Sequence, residues 1–301
     1  MSGSYHIPVL LDEVIENLQI RPSGIYVDCT FGGGGHSKAI LEKLGPDGKL
    51  VAFDQDADAK RNLPDDPRVL FIPQNFRHLQ RFLRLNGITE VDGILADLGV
   101  SSHHFDEASR GFSTRFDAPL DMRMDQRESK TAYEIISTYN ELQLHKLFEQ
   151  YGEVTNSKTL AKTIVDIRKT TSLKNIDAFK TALAPVVKGN PNKYFAQVFQ
   201  ALRMEVNDET GALKEMLEQT PAVLKQGGRV AIITFHSIED RLVKIFFREN
   251  RFDTPEENPF ETVEKIRLLK LVNKKPITAT AQELKNNTRS RSAKLRVAEK
   301  I

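Results

Sequence analysis

Four strand-like segments end in residues suited to cofactor or transfer chemistry. The first, Val27-Asp-Cys-Thr-Phe-Gly-Gly-Gly-Gly-His-Ser37, closes an apolar run with four successive glycines. Glycines turn the backbone sharply and let it approach a ligand with no Cβ in the way. Asp54 ends the next apolar run, about 20 residues after Gly34, where an acid can accept hydrogen bonds from ribose hydroxyls. Together they point to an adenosine-type cofactor. Ile94-Leu-Ala-Asp97-Leu-Gly-Val-Ser-Ser102 ends a third run and Thr234-Phe-His236-Ser-Ile-Glu-Asp240 a fourth. Strand ends of this kind are where a transferred group meets its acceptor in open α/β sheets.

The glycines narrow the cofactor. A dinucleotide fingerprint needs G-x-G-x-x-G or G-x-G-x-x-A; counted from Gly32 or Gly33 the last position is Ser37 or Lys38. A Gly-Lys-Ser/Thr phosphate loop is also missing. S-adenosylmethionine remains: its sulfonium and zwitterionic arm need acids and backbone groups rather than a pyrophosphate cradle. Asp28 and Asp97, at the ends of adjacent expected strands, can supply the acids, though Asp28 can equally orient the loop. Asp97 is the first candidate to accept a hydrogen bond from a reacting amine, and His236 the second. Cys29 lies before the glycines and reads as filler rather than nucleophile. No metal site is expected.

The elements that position these groups alternate strand and helix. Gly24–Thr30, Lys49–Asp54, Val69–Pro73 and Val91–Asp97 read as buried strands, with a helical stretch from His36 to Leu44. The alternation predicts a parallel sheet covered by helices. From His103 to Asp208 the pattern is helical, and it then returns to a helix over Thr210–Leu224, a Gly227-Gly228 turn, a strand over Arg229–Phe235 and a helix over Ile238–Arg248, with Ser237 as a candidate cap. The expected organisation is a discontinuous α/β domain, 1–102 and 211–301, with a helical insertion at 103–210. The insertion opens with Arg110-Gly-Phe-Ser-Thr-Arg-Phe-Asp-Ala-Pro-Leu-Asp-Met-Arg-Met-Asp125. That mixture suits base stacking and phosphate contact, and equally a salt-bridged loop.

Composition sets the outer limits. The 301 residues, 40% hydrophobic and 28% charged, suit a globular protein and exclude collagenous or wholly disordered classes. A single cysteine excludes a disulfide framework. No apolar run is long enough for a membrane helix, the opening MSGSYHIPVLLDEV lacks a leader pattern, and a cytoplasmic location is expected. Forty-three Lys and Arg balance 41 Asp and Glu, but eleven of the basic residues, against three Glu, fall between Thr262 and Ile301. Arg289, Arg291, Lys294 and Arg296 are expected to form an arm that touches phosphate; the alternation of Leu295 and Val297 with them allows an edge strand instead.

In this order, FGGGGHS, DLGVSS, RGFS…PLDMRMD, QALRMEVNDE, FHSIEDR and RSRSAKLR resemble the bacterial 16S ribosomal RNA (cytosine-N4-)-methyltransferase family, from His6-Ile-Pro-Val-Leu to near the C-terminus. The resemblance implies a class I methyltransferase (Rossmann-like) sheet with an inserted helical domain that helps recognise substrate. It implies S-adenosylmethionine as methyl donor and, as substrate, the exocyclic N4 amine of a cytosine in the decoding region of 16S rRNA in the small ribosomal subunit. Matched by position, Gly34, Gly35 and His36 fall in the cofactor loop, Asp54 on the ribose, Phe76 beside the adenine and Asp97 at the end of the fourth strand. Where the family usually has Ser-Ser-Pro-Gln, this chain has Ser101-Ser-His-His104, so His104 takes the place of a cofactor-binding Gln. A non-catalytic RNA-binding ribosome-assembly factor that keeps the cofactor fold is the alternative. A nicotinamide oxidoreductase is weakened by Ser37 and Lys38.

Overall fold

Short β-branched and apolar segments build the sheet that the alternation calls for. In the computed structural model, which describes residues 8–101, 105, 107–252 and 267–301, the strands are β1 (Ile25–Asp28), β2 (Lys49–Phe53), β3 (Val69–Ile72), β4 (Val91–Asp97), β5 (Leu224–Thr234), β6 (Leu269–Leu271) and β7 (Lys294–Lys300). Their order is β3-β2-β1-β4-β5-β7-β6. The first five run parallel, with Val27 opposite Val51 and Ile94. β7 runs antiparallel to both β5 and β6. The parallel strands are buried on both faces, which is why they read as continuous apolar runs rather than alternating ones.

The chain divides into two compact units, 1–99 with 210–301, and 100–209. In the first unit, α1 (Leu11–Leu18) and α2 (Gly35–Lys43) pack Leu10, Val14, Ile40 and Leu41 with Leu50, Leu95 and Ile233. Other helices, α3 (Leu79–Leu85), α9 (Glu209–Val223) and α10 (Ser237–Glu249), pack Leu79, Leu83, Met216 and Phe246 with Val27, Val51 and Ile232. Side chains alternate along each strand, so these two clusters lie on opposite faces of the sheet.

The second unit is helical among its described residues: α4 (Ala132–Thr138), α5 (Glu141–Gln150), α6 (Ser157–Ile167), α7 (Ile176–Leu183) and α8 (Pro191–Val206). Its own core holds Ile135, Phe148, Leu160, Ile164, Phe179 and Val198, each fully buried. Local signals set the helix starts. Asn140 and Gln143 form a capping box on α5, and Asn190 caps α8 just before Pro191.

Two expectations about local structure change. Gly227-Gly228 does not separate helix from strand: β5 starts at Leu224, and the extra residues shift its register against β4 between the Val91–Leu224 and Gly93–Arg229 pairs. The glycines, with Gly227 at φ 74°, therefore sit in a bulge. The larger correction concerns the basic C-terminal stretch. Lys294–Lys300 is neither an arm nor an edge strand; β7 lies inside the sheet, with Leu295 and Val297 fully buried. Arg296 is 5% exposed, and its guanidinium donates to both oxygens of Asp240 at 2.7 and 3.2 Å. Arg289 and Arg291 stay exposed on the 3-10 turn Thr288–Ser292 that leads into β7. A carboxylate partner that is itself mostly shielded from solvent accounts for Arg296 in a largely apolar strand.

Candidate active site

The strand order reverses at β1, whose neighbours are β2 and β4. Chains leaving the carboxyl ends of β1 and β4 therefore diverge and open a crevice there. Asp28 and Asp97 are the last residues of β1 and β4, and Asp54 directly follows β2. Three adjacent parallel strands thus bring three carboxyl groups to one end of the sheet.

The glycine loop has a separate reason for each position. Gly34 is left-handed at φ 75° and caps α2, a conformation most residues avoid. A Cβ on Gly35 would lie 2.4 Å from Pro8 Cγ, so that glycine answers to packing. A Cβ on Gly33 would meet nothing within 4 Å among the described residues; against those residues this glycine faces open space. Asp54 clamps the loop: Oδ2 accepts from the Gly32 amide at 2.7 Å and Oδ1 from the Asp56 amide at 2.8 Å. The Asn62 side chain donates to the Gly32 carbonyl at 2.9 Å. Burial pushes the Asp54 carboxyl up to about 6, against the pull of those two amides. Each oxygen keeps lone-pair capacity for a further donor.

Asp28 orients the loop. Its oxygens accept from the Ser37 hydroxyl at 2.7 Å and the Thr30 amide at 3.1 Å, and burial raises its pKa. Thr30 then accepts from the Asp97 amide at 2.7 Å, tying the ends of β1 and β4 together. Asp97 itself is less satisfied. Its side chain is 26% exposed, yet Oδ1 is buried and has no hydrogen-bond partner among the described residues. Burial pushes its carboxyl up to about 6; His36 lowers it, and Asp28 and Glu239 raise it.

His36 is buried at the start of α2, with Nδ1 3.8 Å from Asp97 Oδ2. His236, rather than Ser237, is the N-cap of α10. Its Nε2 lies 3.1 Å from Glu239 Oε1 but makes no aligned hydrogen bond among the described residues. Glu239, 3% exposed, accepts from the Phe235 amide at 3.2 Å. Phe76 opens the 3-10 turn Phe76–His78 after β3, half-buried against the core shared by α3 and α9. His104 lies outside the described residues. Burial pushes the Cys29 thiol well up, which keeps it protonated and inert.

A parallel sheet in this order, with β7 inserted antiparallel beside β5 and acids flanking a glycine loop at the strand ends, defines a class I methyltransferase. The model of the MraW methylase family matches residues 3–301, and the chain belongs to that family. It is 53% identical over 300 residues to the ribosomal RNA small subunit methyltransferase H of Parabacteroides distasonis, covering 99% of this chain and 98% of the relative. It is 52% identical over 299 residues to the protein of the same name from Christiangramia forsetii, with the same two coverages. A solved rRNA methylase from Streptococcus thermophilus is a looser likeness, with TM-score 0.40 and 13% identity over 97% of this chain and 93% of that one. The chain is accordingly an S-adenosylmethionine-dependent methyltransferase.

The sequence reading missed the clamping of the loop by Asp54 and Asn62, and the place of Glu239 beside His236. The second was hidden because His is not a usual cap residue, and the neighbouring Ser237 draws the helix start one position too far. The Arg110–Asp125 segment answers mostly to its second reading. Arg110 is 4% exposed and donates to the Arg123 and Met124 carbonyls at 3.1 and 3.0 Å. Arg123 pairs with Asp121 and Arg127 with Asp125. Asn207, just after α8, fixes the segment by accepting from the Met124 amide and donating to the Met122 carbonyl. Arg115 and Phe116 remain exposed.

Proposed function

We propose that this enzyme methylates the exocyclic N4 amine of a cytosine in the decoding region of 16S rRNA, within the small ribosomal subunit. The names of the full-length relatives support a small-subunit RNA substrate; the quoted motifs support the amine. The observation that carries the chemistry is the buried Oδ1 of Asp97 at the end of β4, which has no hydrogen-bond partner among the described residues.

The cofactor residues are Gly34, Gly35, His36, Asp54, Phe76 and Asp97, with His104 where the family has Gln. They fit S-adenosylmethionine: Gly33 leaves open space at the loop, and Asp54 keeps acceptor capacity for ribose hydroxyls. When bound, that cofactor supplies an electrophilic methyl group on a sulfonium. The chain's own residues do the rest. The cytosine amine is a poor nucleophile because its lone pair is delocalised into the ring. Asp97 accepts a hydrogen bond from that amine, aligns it, and offsets the positive charge that develops as it attacks. His236, 3.1 Å from Glu239, is the second candidate for holding the base or taking the proton. The target base must leave its stack to reach these groups. In this reading the helical unit recognises the RNA, with Arg115 and Phe116 as its exposed pair for a base and a phosphate.

The test is to incubate the protein with labelled S-adenosylmethionine and small subunits from cells lacking the modification, then map the labelled nucleotide. Label on a cytosine N4 is expected. Cofactor binding with no transfer to any RNA would favour the assembly-factor alternative.

A further inference from the structure

A second basic feature lies apart from the strand-end carboxyls. From Pro67 to Thr89 the sequence holds Arg68, Arg77, His78, Arg81 and Arg84, and no Asp or Glu. In a chain whose basic and acidic residues otherwise balance, this is a local excess of positive charge. The structure gathers Arg77, His78, Gln80, Arg81, Arg84 and Gln219 around an open groove of about 460 Å³ beside α3.

The groove has a fixed floor, one held wall and two exposed arginines. The Gln219 side chain accepts from the Gln80 amide at 2.9 Å and donates to the Arg77 carbonyl at 2.6 Å, locking α9 to the turn before α3. Arg77 is held by Glu215 at 2.6 Å and serves as a wall. Arg81 and Arg84 are exposed and, among the described residues, have no ion-paired carboxylate; Arg81 lies 5.8 Å from the Phe82 ring centroid. That sets them apart from Arg68, Arg123, Arg127 and Arg203, each of which pairs with an acid close by in sequence. The groove begins where β3 ends, at the same end of the sheet as Asp54 and Phe76, and follows α3 away from it.

We propose that this groove holds the phosphodiester backbone of the substrate RNA at a point remote from the reacting base. The guanidinium fork of arginine matches phosphate oxygens, and two forks with no carboxylate partner among the described residues, three residues apart on one helix, can grip neighbouring phosphates. Such contacts fix register and orientation and leave the choice of base to the site. The inference rests on the proposed RNA substrate and extends it to a surface outside the cofactor residues.

The test compares the wild-type enzyme, Arg81→Gln/Arg84→Gln and Arg81→Lys/Arg84→Lys. Affinity is measured from low to high salt for intact small subunits and for protein-free 16S rRNA. Melting temperature and S-adenosylhomocysteine binding are followed alongside, and both should stay at wild-type values. Each phosphate contact on single-stranded RNA contributes about 0.7 to the salt slope. The Gln pair should therefore flatten the slope by about 1.4 and lower affinity on the order of tenfold at physiological salt. The Lys pair should keep the slope. An unchanged slope in the Gln pair would overturn the inference. So would weaker binding to intact subunits with no change on protein-free RNA, which would place a ribosomal protein in the groove. Methyl transfer by the wild-type enzyme to unmodified subunits is read in the same preparation, so failure of the substrate reading shows there and failure of the groove shows in the variant's slope.

Discussion

His36 Nδ1 stands 3.8 Å from Asp97 Oδ2, joining the glycine loop to the end of β4. The other ring nitrogen, Nε2, is 2.9 Å from the Val9 carbonyl, which can only accept, so Nε2 carries a proton. Nδ1 then offers Asp97 a lone pair or, after protonation, a second N–H. Burial, Asp28 and Glu239 favour the neutral carboxyl while His36 favours the charged one, and the balance settles near 6. At neutral pH Asp97 is mostly ionised, the state that offsets developing positive charge best, yet it lies close to its titration midpoint.

Replacing that acceptor separates chemistry from binding. Asp97→Asn should lower single-turnover methyl transfer by about 100-fold, the typical cost of removing one electrostatic contact to a transition state. S-adenosylhomocysteine affinity should fall much less. Stability should move the other way. A folded-state pKa raised to about 6 means stability is fully present below the unfolded value and is lost as pH rises through about 6. The ligand-free Asn variant should therefore exceed the wild type by about 1–2 kcal/mol at pH 8, after discounting for partial exposure. Chemical denaturation at pH 5 and pH 8 checks both the gain and its pH dependence.

The same carboxyl sets a pH profile. At saturating cofactor, single-turnover transfer should fall as pH drops through about 6, approaching tenfold per pH unit below it, because in the proposed role a protonated Asp97 is a weaker acceptor and no longer offsets the positive charge that develops on the amine. The inflection should vanish in Asp97→Asn. A profile with the same inflection in both proteins would assign it to another group.

Much of this arrangement was legible in residue order. The parallel strands announce themselves as apolar runs, all but β3 running out into Asp or His, and parallel topology brings those ends together. Asp54 and Asp97 are found this way because one end of each strand is fixed by the turn beside it. What stayed hidden depends on contacts distant in sequence. The fit of Gly35 against Pro8 reaches across 27 residues. β7 reads as a polar tail because Lys294, Arg296 and Lys300 mask its apolar alternation, and only Asp240, 56 residues earlier, makes a buried Arg296 tolerable.

That correction is itself testable. Arg296→Met should destabilise the protein by about 3 kcal/mol, because it leaves Asp240 largely buried with Lys294, 3.4 Å away, as its one counter-ion among the described residues. The RNA salt slope should not change. Burial alone would raise the Asp240 pKa, but Arg296 and Lys294 hold it below the usual range, so this contribution is present at neutral pH and lost in acid. Urea titrations of wild type and variant should accordingly converge toward pH 3. A normal midpoint with a flattened salt slope would restore the phosphate-binding arm.

Asp54 should report on the cofactor. Asp54→Ala removes the acceptors for the Gly32 and Asp56 amides and, in the proposed reading, those for ribose hydroxyls. Hydrogen bonds to a charged group contribute about 1.5–3 kcal/mol each, so losing ribose contacts alone predicts at least a tenfold weaker S-adenosylhomocysteine affinity. Because burial holds this carboxyl near 6, wild-type affinity should also weaken as pH falls below that value. Calorimetry across pH 5–8 checks both, and the pH dependence should disappear in Asp54→Asn.

The glycine loop allows folding and ligand contact to be read apart. Gly35→Ala places a Cβ 2.4 Å from Pro8 Cγ, an overlap that requires movement and should lower stability by about 1–3 kcal/mol. Gly33→Ala places a Cβ where no described residue lies within 4 Å and no positive φ strains it. Its melting temperature without ligand should match the wild type or rise slightly, since alanine restricts the unfolded chain. If the open space at Gly33 is where the cofactor approaches the backbone, the same substitution should weaken S-adenosylhomocysteine at least tenfold and remove most of the ligand-induced rise in melting temperature. Thermal melts with and without ligand measure all of this on two proteins. Normal ligand stabilisation in Gly33→Ala would move the cofactor away from Gly33 and leave Gly34 and Gly35 with purely structural tasks.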